Sequence, residues 1–196
     1  MFKLLQVNDV VRIPPDKFDS PLEAVATEVL RATYEGTVSR ELGIIIAVLN
    51  VKVSDIGKIL PGNGGIYHKV SFDLLVFMPV IQEVIEGEVV DVTDFGVFVR
   101  IGPIDGLIHI SQIIDDFITY DEKRGALMGK ETHRILEKGM IVRARIITVS
   151  LSTGPSRSSK IGLTMRQPFL GAISWIEEDI NKSIKEVKKE VKKEGK

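Results

Sequence analysis

After Gln82 the sequence breaks into five short runs of alternating apolar residues, near 84–93, 95–102, 105–110, 140–150 and 159–166, punctuated by glycines. Runs of that length with period-two alternation read as strands that bury one face. Five short strands with glycine punctuation suggest a small barrel, for which the OB-fold is the leading candidate. The one long interruption is 115–137, "DDFITYDEKRGALMGKETHRILE", which is polar and is expected to be partly hairpin-like.

The residues before this barrel have a different texture. Phe2 to Ile13 reads as a strand, ended by Pro14 and Pro15, which cannot donate to a ladder. At "SPLE" a helix is expected to begin, with Ser20 as N-cap, Pro21 at the first helical position and Glu23 completing a capping box. Leu22, Val25, Ala26, Val29 and Leu30 form its apolar stripe, and Gly36 is placed to stop it. Two long strands follow. Ile45, Ala47, Leu49, Val51 and Val53 are expected on one face of the first. Ile66, Val70, Phe72, Leu74, Val76 and Met78 are expected on one face of the second, interrupted by His68. The predicted fold class is therefore an α+β N-terminal domain over 1–80, then a five-stranded OB-fold barrel over 81–170. A helical, Lys/Glu-rich tail over 171–196 follows, with Ile173, Ile176, Ile180, Ile184, Val187 and Val191 as its stripe, fraying after Lys185.

Two features of this layout concern binding. Between the long strands lies "GKILPGNGG", 57–65, too long for a tight hairpin. No lysine followed by serine or threonine completes a phosphate loop there, so the informative residues are Ile59 and Leu60, with Pro61 and Gly62 beside them. They either fold back on the sheet or form an apolar tip that docks into another protein. The second feature is "DFGVF". Phe95 and Phe98 are three residues apart and would point to opposite faces of a regular strand. A bulge at the intervening glycine would restore a shared face and turn both rings outward, as stacking platforms for unpaired bases.

Charge narrows the partners. The net charge is −1, which argues against a surface that grips phosphate everywhere. The distribution is uneven: Glu83 to Glu122 holds ten acids and one base, whereas Lys138 to Gly171 holds six bases and no acid. Lys138, Arg143, Arg145, Arg157, Lys160 and Arg166 supply that basic stretch; folding either segregates the two stretches or interleaves them. There is no cysteine, and His68, His109 and His133 lie in separate segments without ligand spacing, so no metal or cofactor is expected. No apolar run has transmembrane length and no signal-peptide pattern opens the chain, so a cytoplasmic protein without membrane contact is expected.

Residues 82–166 resemble the S-one-type RNA-binding domain through "GEVVDVTDFGVFV", "GLIHIS", "KGMIVRARI" and "KIGLTMR" in that order. The resemblance implies an RNA face lined by Phe95, Phe98 and His109, with Lys160 as the basic residue opening the last strand. From the acid-free basic stretch, Arg143 and Arg145 are expected as further RNA contacts. An aspartate usual near the end of the fourth strand is replaced by Ser150, and the loop "LSTGPSRSS" is longer than usual. Over residues 1–170 the chain resembles the large stalk subunits of archaeal RNA polymerase, the E-prime family, equivalent to the seventh subunit of eukaryotic RNA polymerase II. "MFKLLQVNDVVRIPP", "PGNGG" and "DFGVFVRIGPIDGLIHISQI" carry that match. It implies a heterodimer with a smaller stalk subunit. It implies docking of that pair on the polymerase core by the tip at Ile59, Leu60, Pro61 and Gly62. It also implies contact with single-stranded RNA transcript through the barrel.

An exosome cap, a nuclease and a translation initiation factor subunit remain alternatives that use the same barrel. A nuclease needs metal-binding carboxylates in a pocket; the adjacent pair Asp115–Asp116 sits in the polar insert and reads as solvated surface. No nucleophile and base are paired by the sequence, so no active site is expected beyond membership in a nucleotidyltransferase. Little RNA sequence preference is expected, because stacking tolerates every base.

Overall fold

The computed structural model describes residues 1–152 and 160–194, with side chains up to residue 184 in the final helix. It divides into two compact units, one formed by Met1–Pro79 and the other built on Val80–Ser150 with the chain from Lys160 onward.

In the first unit, β1 (Phe2–Ile13), β2 (Val38–Ser39), β3 (Gly43–Ile59) and β4 (Ile66–Phe77) form a four-stranded antiparallel sheet in the order β1-β4-β3-β2, and α1 (Leu22–Tyr34) lies between β1 and β2 in sequence. The helix packs Val25, Ala26 and Leu30 against Val11, Val48, Val70, Phe72 and Leu74 of the sheet. Each fully buried aliphatic or aromatic side chain contributes roughly 1.5–3 kcal/mol. Tyr34 closes the helix end: its hydroxyl donates to Asp9 Oδ2 at 2.6 Å, and that bond, with burial, pushes the phenol up to about 12.

Three expectations about this unit are corrected. Pro21, not Ser20, is the N-cap residue, its carbonyl accepting from Ala24 and Val25, so the Ser20–Glu23 capping box does not form. The alternation in β3 breaks: its pairing with β4 shifts between Ile45 and Ala47, between Leu49 and Lys52, and between Val53 and Gly57. As a result Ile45 and Val48 are buried while Leu49 is exposed. Strand pairing also runs to Ile59–Ile66, so the connection is only 60–65 rather than the whole glycine-rich stretch. His68, the polar interruption in an apolar stripe, is 8% exposed, and its Nδ1 bonds the Ser54 carbonyl, 2.8 Å away in the irregular part of β3. A buried imidazole is thereby satisfied.

The second unit contains β5 (Val84–Thr93), β6 (Gly96–Arg100), β7 (Asp105–His109), β8 (Ile118–Asp121), β9 (Ala126–Gly129), β10 (Ile135–Glu137), β11 (Ile141–Ser150), β12 (Lys160–Thr164), β13 (Gly171–Ala172) and α2 (Ile173–Glu194). The order β12-β7-β6-β5-β11 closes through a β11–β12 pairing into a five-stranded barrel, with β7 and β12 parallel. Val89, Val97, Val99, Ile108, Val142, Ala144, Ile146, Ile161 and Leu163 fill it.

The insert between β7 and β11 is a three-stranded antiparallel sheet in the order β10-β9-β8, more ordered than the expected partial hairpin. Its strands are three or four residues long, too short to show a period. Asp116 lies at the surface, as expected, and is also structural: its carboxylate accepts from Glu131 N, Thr132 N, Thr132 Oγ1 and Phe117 N. Asp115 pairs with Arg166. The tail helix buries Trp175 and Ile176, holds Arg134 over the Trp175 ring at 5.5 Å, and is helical through Glu194, beyond Lys185 where fraying was expected.

Candidate nucleic-acid interface

Phe95 and Phe98 meet on the barrel surface, but by a different route from the one expected. There is no bulge in β6; its register with β7 is continuous from Gly96–His109 to Arg100–Asp105. Phe95 instead sits in the two-residue turn between Thr93 and Gly96, outside strand parity. A residue in a turn is free of the two-face alternation, so its ring can lie beside that of Phe98. The ring centroids are 6.1 Å apart at an interplanar angle of 89°, and Phe95 is 46% exposed. An edge-to-face pair of this kind holds both rings while leaving faces open to stack.

Gly96 lies opposite His109, and Phe98 opposite Leu107. These residues share the outward face, since their strand neighbours Val97 and Ile108 are buried. His109 is exposed; its Nδ1 lies 2.9 Å from Ser111 Oγ and accepts the Ser111 N–H at 3.3 Å, which orients the ring. The bulge in this region belongs to β5. Val89 pairs with Val99, then Val90 is passed over and Asp91 faces Phe98. Sequence reading misses Asp91 because a single-residue slip leaves no local signal.

The basic residues separate. Lys160 opens β12 on the outward face, one residue before the Ile161–Gly106 pair, and makes no ion pair among the described residues. Four residues of β7 separate that end from His109, roughly 13 Å along the strand. Arg143 and Arg145 are on β11, which is separated from β6 by β5 and from β7 by β12. Arg143 is ion-paired with Glu86 at 2.7 Å, and Arg145 donates to the Gln82 carbonyl at 3.1 Å. Folding therefore places neither beside the two phenylalanines, and with Arg166–Asp115 it interleaves the acidic and basic stretches. Arg157 lies outside the described residues. Among those described, no group of three or more His, Cys, Asp or Glu is arranged to hold a metal ion, and no helix is long and apolar enough to cross a membrane.

The hairpin end of the first unit carries the other exposed feature. Ile59 is 72% exposed and Leu60 50% exposed, so neither folds back on the sheet. Pro61 and Gly62, with Gly62 at φ +80° and Asn63 N bonding Leu60 O at 3.1 Å, form the type II turn that follows them. Asn63 pins this turn: its Oδ1 accepts from Arg12 Nε at 3.0 Å and its Nδ2 donates to Tyr67 at 2.6 Å.

A closed five-stranded barrel with an aromatic pair and a histidine on its β6–β7 face defines an OB-fold nucleic-acid-binding module. Residues 79–159 match the S1 RNA binding domain, and residues 8–64 match the SHS2 domain found in the N terminus of Rpb7p/Rpc25p/MJ0397. The chain is 48% identical over 176 residues to DNA-directed RNA polymerase subunit Rpo7 of Saccharolobus shibatae, covering 90% of this chain and 97% of that protein. Against Rpo7 of Sulfolobus acidocaldarius the identity is 45% over 185 residues, covering 94% of this chain and 100% of that one. DNA-directed RNA polymerase III subunit RPC8 of Bos taurus is 25% identical over 200 residues, covering 89% and 98%. The chain belongs to the Rpo7 family of DNA-directed RNA polymerase subunits. The match spans both units, so a polymerase subunit accounts for the whole chain where an exosome cap or a translation initiation factor would account for the barrel.

Proposed function

We propose that the chain is a non-catalytic stalk subunit of DNA-directed RNA polymerase. It forms a heterodimer with a smaller stalk subunit, docks on the polymerase core through the tip at Ile59, Leu60, Pro61 and Gly62, and holds single-stranded transcript on the barrel. The observation that carries the RNA assignment is the perpendicular Phe95–Phe98 pair beside His109 on the outward face of β6 and β7. Stacking on such rings is worth roughly 1–3 kcal/mol per base and needs no particular sequence. The turn-pinned, exposed Ile59 and Leu60 support docking, because large apolar side chains held in water gain when a partner covers them. Lys160 is the basic contact on this face, and Arg143 and Arg145 serve ion pairing and backbone support instead. Filter binding of single-stranded RNA to the Phe95→Ala, Phe98→Ala double variant tests the assignment. Affinity should fall by roughly 2–4 kcal/mol if each ring takes a base; unchanged affinity in a folded variant rejects it.

A further inference from the structure

The β5 bulge turns a carboxylate out of the barrel core and onto the face that carries Phe98. Val89–Val99 and Val92–Val97 both point inward although Val89 and Val92 are three residues apart, so the bulge is what buries both valines and turns Asp91 out of the core. Passing over Val90 sets Asp91 directly opposite Phe98 on the outward face. Directly opposed side chains in an antiparallel pair have Cβ atoms about 4.5–5.5 Å apart. A base lying on the Phe98 ring therefore presents its edge to Asp91.

Asp91 is exposed and already oriented: its Oδ1 accepts the Val92 N–H at 3.0 Å. Oδ2 and the second lone pair of Oδ1 remain available. An ionised carboxylate accepts and cannot donate. Of the four bases, guanine presents two adjacent donors, N1–H and N2–H₂, on its Watson–Crick edge. Adenine and cytosine turn a ring-nitrogen lone pair toward the anion, and uracil flanks its single N–H with two carbonyl oxygens. Glu88, Asp94 and Asp105 add negative charge around the same strands, offset by the Arg100–Asp105 pair at 3.2 Å. That field disfavours phosphate over the sheet and favours a base edge that donates.

We propose that Phe98 and Asp91 form a guanine-selective subsite, in which the base stacks on Phe98 and donates N1–H and N2–H₂ to the Asp91 carboxylate. The proposal rests on the reading of Phe95 and Phe98 as the RNA platform, and its test separates the two.

The full chain is titrated with labelled hexaadenylate, with the same hexamer carrying guanosine at a central position, and with inosine there, which lacks the N2 amino group. The guanosine oligomer should bind about tenfold more tightly than hexaadenylate, within the range of a bidentate base contact, with inosine between them. Asp91→Asn, which swaps one acceptor for a donor, and Asp91→Ala should each erase the guanosine advantage without weakening hexaadenylate binding, which rises if anything because a negative charge is removed. Equal affinities in the wild type, or a guanosine preference that survives both variants, overturn the subsite. If hexaadenylate binding also fails to respond to Phe98→Ala, the platform reading falls together with the subsite; if it responds, the platform stands without base selectivity.

Discussion

Gly96 and His109 face each other across β6 and β7, and a Cβ on Gly96 would run into the carbonyl oxygen of Ile108. The obstacle is backbone held in a strand ladder, so it cannot swing aside. Gly96→Ala should therefore cost roughly 1–3 kcal/mol of stability, the range for forced overpacking. Urea unfolding followed by circular dichroism measures it, and an unchanged midpoint would show that β7 yields easily. Because Gly96 lies between the two rings in sequence, RNA affinity should fall as well.

The tip makes a separable prediction. Ile59 and Leu60 are exposed, so replacing both by Asp removes no core contact. The double variant should unfold at the wild-type urea concentration and bind single-stranded RNA normally. It should fail to co-purify with core polymerase, since each apolar side chain loses roughly 1.5–3 kcal/mol of burial and each new charge adds a desolvation cost. Normal assembly on the core would remove the tip as an anchor.

Salt dependence distinguishes the cations. Each lysine or arginine that neutralises a phosphate of single-stranded RNA contributes about 0.7 to the slope of log affinity against log salt. Lys160→Ala should make the slope shallower by about that amount. Arg143→Ala and Arg166→Ala should leave it unchanged, because Glu86 and Asp115 already pair with those guanidinium groups. A slope that responds to Arg143 but not to Lys160 would move the RNA path to β11.

Asp116 predicts an acid limb. The Thr132 N–H first, then the Thr132 hydroxyl and the Glu131 and Phe117 N–H groups, hold its carboxyl below the ordinary value of 3.8. A folded value below the unfolded one means the contribution to stability is present above the unfolded value and is lost as pH falls through the folded one. Urea midpoints of the wild type should drop below about pH 4 more steeply than those of Asp116→Asn, which lacks the titrating group. Parallel curves would show that the insert does not depend on this carboxylate.

What the chain determines locally is legible in its sequence. The strand Phe2–Ile13, the stripe Val25–Ala26–Leu30 and the five barrel strands follow from periodicity and from proline and glycine punctuation, which each segment carries within itself. That Phe95 and Phe98 share a surface is legible too, although the cause lies in the turn that frees Phe95 and not in a bulge at Gly96. Three features were decided only by tertiary structure. Asp91 comes opposite Phe98 because β5 slips one residue against β6, and a slip is a property of two strands, not one. The acidic and basic stretches cancel through Arg143–Glu86 and Arg166–Asp115, pairs 57 and 51 residues apart in sequence. Asp116 becomes structural only when residues 131 and 132 fold back onto it. Each depends on which distant segment arrives, and local pattern records what a segment can become without recording what it will meet.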